Sequence, residues 1–275
     1  MKTISKNKSH GGVQGVYSHA SSATKTEMTF SVFVPEGEGP FPVLWFLSGL
    51  TYTHANVTEK GEFRAACAEH GIILIAPDTS PRGDDVANDE DYDMGQGAGF
   101  YVDATKAPWA EHFQMKTYIE DELPQLIKSE FSQADMSRQG ITGHSMGGHG
   151  ALTIGLRNPQ IFRSISAFSP IVSPMNCPWG HKALLGYLGE DRTAWADYDA
   201  CELIKSGARP EALLIEQGLD DNFLTEQLKP ELLEEACAGT GIELIVNRRA
   251  GYDHSYYFIS TFMADHVAWH AARLK

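Results

Sequence analysis

Apolar positions change period several times along the chain. Met28, Phe30, Val32 and Val34 alternate with Thr29 and Ser31 and stop at Pro35, the two-residue period of a strand with one buried face. Two unbroken apolar runs follow, Val43 to Leu47 and Ile72 to Ala76, closing on the polar turns Ser48-Gly49 and Pro77-Asp78. Runs of that length predict strands covered on both faces. Between 111 and 131 the period lengthens. Met115, Tyr118, Ile119, Leu123, Leu126 and Ile127 fall on one helical face, with Pro124 inside it as an expected kink. Strand segments recur at Arg163 to Phe168, Ala212 to Glu216 and Ile242 to Val246, interleaved with helical stretches. This alternation predicts an α/β protein with a mostly parallel central sheet flanked by helices. The strands near 28 and 43 are expected to pair as an antiparallel edge. No repeat, low-complexity tract or linker divides the sequence, so one domain over 1–275 is expected. The less regular segment 171–200, with Pro174, Pro178, Trp179 and Gly180, reads as a cap over the sheet's C-terminal edge or as an ordinary surface excursion.

Charge narrows the class of partner. Lys and Arg number 22 against 36 Asp and Glu, a net charge of −14, which excludes a basic footprint for nucleic acid or anionic membrane. The excess is concentrated: 84–93 holds six acids and no base, and 201–235 holds nine acids and three bases. The rest of the chain is therefore nearly neutral, and an anionic small substrate stays admissible there. Cys67, Cys177, Cys201 and Cys237 show no paired spacing, which predicts reduced, buried thiols. With no signal-peptide pattern near the N-terminus, a cytoplasmic location is expected. No apolar run approaches the length of a membrane span.

The sharpest chemical signal is Gly143-His144-Ser145-Met146-Gly147-Gly148, set between a short strand candidate (Gly140 to Thr142) and a helical stretch running to Asn158-Pro159. Strand, tight turn and helix are the setting of a nucleophile elbow, where glycines two before and two after the serine keep side chains out of a crowded turn. Serine needs a base, itself oriented by a carboxylate, and in this order the acid and then the histidine follow it. His149 is expected to pack beside the elbow. His266 and His270 stand four apart on a C-terminal helix with no third ligand, which reads as a polar helix face and not a metal site. His254 follows the last strand segment in a loop that reaches the top of the sheet, which makes it the expected base. Beyond the preceding strand, Asp220 and Asp221 both qualify as the acid. Two N–H groups should stabilise the developing oxyanion: that of Met146, and that of Leu50 or its competitor Gly49. Asp89 to Asp93 resembles the start of a calcium loop, but glycine falls one position late and Phe100 occupies the last ligand position. A solvated acidic loop is expected there. Neither metal nor cofactor is required.

Several long strings carry a resemblance. They are Leu47 to Thr51, Ala76 to Gly83, Tyr92 to Tyr101, Gly143 to Gly150, Ser166 to Pro170, Cys177 to Gly180 and Gly251 to Phe258. Through them nearly the whole chain resembles S-formylglutathione hydrolase, the esterase D family of α/β-hydrolases. The resemblance implies an α/β-hydrolase fold and cleavage of the thioester S-formylglutathione to glutathione and formate, with short-chain carboxylesters as side substrates. It selects Asp221 as the acid, beside Ser145 and His254, and it implies a homodimer. Trp179 and Tyr52 are expected at the substrate pocket, Trp179 narrowing it around a formyl group. Members often carry Cys where this chain has Tyr52, and Asp where it has Glu216, so any role of that thiol should be absent. For the glutathione carboxylates, Lys60, Arg64 and Arg82 are the expected local cations.

Overall fold

The computed structural model describes all 275 residues. Its strands are β1 (Lys2–Ser9), β2 (Gly12–Ala20), β3 (Glu27–Pro35), β4 (Phe41–Leu47), β5 (Ile73–Pro77), β6 (Ala134–Gly143), β7 (Phe162–Phe168), β8 (Ala212–Gly218) and β9 (Glu243–Arg249). They form one sheet in the order β1-β2-β3-β5-β4-β6-β7-β8-β9. From β5 to β9 every neighbouring pair is parallel, while β1, β2 and β3 add an antiparallel edge.

That edge differs from the expectation. The strand at 28 does not pair with the strand at 43; β3 pairs with β2 and β5, and β5 fills the place between β3 and β4. β1 and β2 escape the apolar pattern for a physical reason. β1 is the exposed edge strand and carries Lys2, Lys6 and Lys8, charges that keep an open edge from pairing with other chains. In β2 glycine replaces the apolar signal, because a Cβ on Gly12 would lie 2.5 Å from the Phe33 ring.

The helices are α1 (His54–Lys60), α2 (Arg64–His70), α3 (Met115–Thr117), α4 (Leu123–Glu130), α5 (Met146–Arg157), α6 (Pro178–Leu188), α7 (Arg192–Ala196), α8 (Ala200–Lys205), α9 (Pro230–Cys237) and α10 (Tyr256–Arg273). Alternation along β4 divides two cores. Leu44 and Phe46 join residues of α1, α2 and α10, whereas Val43, Trp45 and Leu47 join residues of α3 to α9 on the other face. The predicted helix over 111–131 starts at Met115. Its break comes before Pro124, in a π-helical turn at Tyr118–Glu122 where Leu123 N–H reaches Tyr118 O. Pro124, with no N–H of its own, then sits in the first turn of α4.

The polar face of α10 is present but buried, not solvent-facing. His266 and His270 are both 0% exposed. His266 Nδ1 lies 2.9 Å from Ser166 Oγ, and the two nitrogens of His270 lie 2.6 and 2.8 Å from Ser164 and Ser166. Small serines on β7 leave room for imidazoles to cross between helix and sheet. No helix is long and apolar enough to cross a membrane.

Candidate active site

The C-terminal ends of β4, β6 and β8 converge on one side of the sheet, the usual place for ligands in open α/β sheets. Leu47 pairs with Gly143 at the ends of β4 and β6. There the chain reverses into α5 through Ser145, which has φ 58° and ψ −119°. Serine rarely adopts a positive φ, and such strain persists only where neighbours enforce it. Here Ser145 N–H donates to Phe168 O at 2.9 Å, and Ser145 O accepts from His149 N–H at 3.0 Å. The flanking glycines are required by close approach. A Cβ on Gly143 would stand 2.2 Å from Gly147 O, and one on Gly147 would stand 2.0 Å from Leu47 O.

His254 lies on the loop between β9 and α10, and its Nδ1 donates to Asp221 Oδ2 at 2.6 Å. Asp221 sits just past β8, its side chain fully buried, with Oδ1 accepting from Phe223 N–H at 2.9 Å. Asp220 is exposed and Asp253 turns to Ser255, so the geometry pairs His254 with Asp221. The imidazole is further held by edge-to-face contact with Phe223, centroids 5.0 Å apart, and by His144 at 4.4 Å. No hydrogen bond joins Ser145 to His254, and both side chains line one small cavity. His144 is buried without a hydrogen-bond partner for either ring nitrogen. Burial and the neighbouring His254 push its pKa well below the ordinary value, so it stays neutral. His149 packs under the elbow as expected, with Nε2 2.9 Å from Phe100 O.

The N–H groups of Met146 and Leu50 donate to no backbone acceptor. Met146 opens α5, where N–H groups are free and the helix dipole is positive. Leu50 lines the cavity with Ser145, while Gly49 does not. Gly49 instead lies against the elbow, where a Cβ would stand 3.2 Å from Ser145 Cβ. The loop is fixed by Tyr101 Oη donating to Ser48 O at 2.8 Å and by Thr51 N–H donating to Gly97 O at 2.8 Å.

Tyr52 and Trp179 both line the cavity, whose volume is about 170 Å³. Segment 171–200 brings Trp179 there at the start of α6. Its Nε1 donates to Tyr92 Oη at 3.2 Å and its ring packs 4.6 Å from Phe223. Tyr92, Phe223, Thr51 and His144 complete the wall without having been singled out from sequence. The acidic loop is solvated as expected, with five of its six acids exposed; Asp91 and the half-buried Asp93 also pair with Lys182 at 2.7 and 2.5 Å. Glu216 is buried, accepting from Asn247 and Arg249. Of the three cations, Arg82 is bound to Asp78 and to Tyr52 O. Arg64 is turned to Gln14 and Thr58 O, and Lys60 is exposed near Tyr52.

An esterase family model, described as "Putative esterase", matches residues 21–270. The chain is 53% identical over 275 residues to an S-formylglutathione hydrolase of Paracoccus denitrificans (strain Pd 1222), covering 99% of this chain and 98% of that one. A solved S-formylglutathione hydrolase from Agrobacterium tumefaciens is 56% identical and superposes with a TM-score of 0.99 over 100% of both chains. A fluorophosphonate-binding serine hydrolase of Staphylococcus aureus, 16% identical, matches with a TM-score of 0.74 over 94% of this chain and 98% of that one, a likeness of fold. With its α/β-hydrolase fold and full-length similarity to these enzymes, the chain belongs to the S-formylglutathione hydrolase family of esterases.

Proposed function

We propose that this chain hydrolyses the thioester S-formylglutathione to glutathione and formate through a formyl-enzyme. Ser145 Oγ attacks the formyl carbon while His254 Nε2 takes its proton. Asp221 holds the imidazole in the tautomer with Nδ1–H and stabilises its cationic form. The N–H groups of Met146 and Leu50 receive the oxyanion. Collapse breaks the C–S bond, His254 returns the proton, and glutathione leaves as thiol. Water, deprotonated by His254, then adds to the formyl ester and releases formate and Ser145.

The observation that carries this reading is the 2.6 Å Asp221–His254 hydrogen bond in the same small cavity as the strained Ser145. Its size supports a very small acyl group, with Trp179 and Phe223 as walls. The similarity to two named S-formylglutathione hydrolases supports the thioester. The single continuous sheet supports one domain over 1–275, with 171–200 as a cap. Four unpaired, buried cysteines support a cytoplasmic location, and the family resemblance supports a homodimer. The test compares kcat/KM for S-formylglutathione and for p-nitrophenyl acetate. The thioester should be preferred by at least a hundredfold; a strong preference for the nitrophenyl ester would make the chain a general short-chain carboxylesterase.

A further inference from the structure

The cavity at Ser145, about 170 Å³, is smaller than the ~300–1,000 Å³ usual for ligands of drug size. It can take the formyl group and the sulfur, but a tripeptide with two carboxylates and an ammonium must extend outside it. Two sides are open. One passes Tyr92 and Trp179 beside the acidic loop 84–93, and there Lys182 is already neutralised by Asp91 and Asp93. The other passes Tyr52 into a second cavity of about 520 Å³, between the end of α1 and the start of α10. Tyr52 lines both cavities.

Resting on the function proposed above, we infer that the glutathionyl part of the substrate leaves past Tyr52 and lies in this second cavity, with Lys60 binding one of its carboxylates. The charges there suit a zwitterion. Lys60, Glu59 and Glu62 line the cavity, are exposed, and enter none of the ion pairs within the chain. Lysine meets a carboxylate and the two glutamates meet the ammonium. Tyr257, 86% exposed on the rim, offers an uncovered ring face to the peptide planes. Tyr52 is a fixed wall between the cavities, because its carbonyl accepts from Thr79 Oγ1 at 2.5 Å and from Arg82 Nη2 at 3.0 Å. Its ring stacks near His144, 6.2 Å away, and lies tilted against Tyr256, 5.6 Å away. Arg82 and Arg64 are held by other partners, which leaves Lys60 as the free cation next to the cavity that contains Ser145.

The experiment measures kcat/KM for S-formylglutathione and for p-nitrophenyl acetate in the wild type, Lys60→Glu and Tyr257→Ala. Charge reversal at Lys60 replaces an attraction with a repulsion, so the thioester-to-ester ratio should fall about five- to tenfold, through KM. Tyr257→Ala should lower it in the same direction by a smaller factor. A wild type that prefers the thioester, with the ratio unchanged in both variants, overturns the second cavity alone. A wild type with no activity on S-formylglutathione overturns the proposed function and this inference together.

Discussion

Ser145, His254 and Asp221 were legible because each is marked by a short local string: an elbow between strand and helix, and two loops that follow strands. The walls around them were not, since Tyr92, Phe223 and His144 meet only when three separate loops close over one cavity of about 170 Å³. Choosing between Asp220 and Asp221 likewise needed either the resemblance or the structure, because topology places both past β8. Tyr52 makes a further residue-scale point. The family resemblance implies a cysteine at its position in many members, and the chain's four thiols are all buried. Burial raises Cys177 and Cys237 to about 11, and raises Cys67 and Cys201 further. Almost no thiolate exists at neutral pH, and thiolate is the reactive species. Iodoacetamide at pH 7 should therefore leave wild-type esterase activity intact, whereas Tyr52→Cys should become sensitive. Rapid inactivation of the wild type would show a reactive thiol that this arrangement does not contain.

Among the elements, strands buried on both faces and the long helical face at 115–127 announced themselves through periodicity. β1 and β2 did not: one is an exposed lysine-bearing edge, the other is interrupted by Gly12 and Gly15. Strand pairing was also beyond the pattern, because inserting β5 between β3 and β4 depends on the whole sheet. The elbow joining β6 to α5 is the element on which the proposed activity turns. A Cβ on Gly147 would meet the backbone carbonyl of Leu47 at 2.0 Å, and backbone cannot rotate away as a side chain can. Gly147→Ala should cost about 3 kcal/mol or more in urea unfolding. It should also lower kcat by at least ~10²-fold, because displacing Ser145 by about 1 Å misaligns attack. Wild-type stability in that variant would contradict the crowding that places the serine.

For the whole molecule, the net charge of −14 argues against polyanionic partners, and its distribution bears on where the proposed substrate lies. The acidic loop 84–93 pairs with Lys182 of α6, and Lys60, which enters no ion pair, lies on the other side of Tyr52. The fold also buries neutral histidines. Burial lowers His149 to about 4, against ~6.5 in an unfolded chain. Between those values the unfolded state binds a proton that the folded state does not, so stability falls as pH drops from about 6.5 towards 4. Above 6.5 this contribution is constant. Urea unfolding of His149→Gln should show a shallower acid loss than the wild type, by about 3 kcal/mol across that window. Equal slopes would mean that His149 already carries its proton in the fold, or shares none of the loss.

In the proposed reaction a serine held at the end of β6 performs the thioester cleavage. The most direct test is the turnover of S-formylglutathione by purified wild type and Ser145→Ala, with circular dichroism confirming that both are folded. In the proposed mechanism Ser145 and His254 act as a unit, so removing the hydroxyl should lower kcat by about 10⁵–10⁶-fold. A folded Ser145→Ala protein that hydrolyses the thioester at the wild-type rate would mean that Ser145 is not the nucleophile.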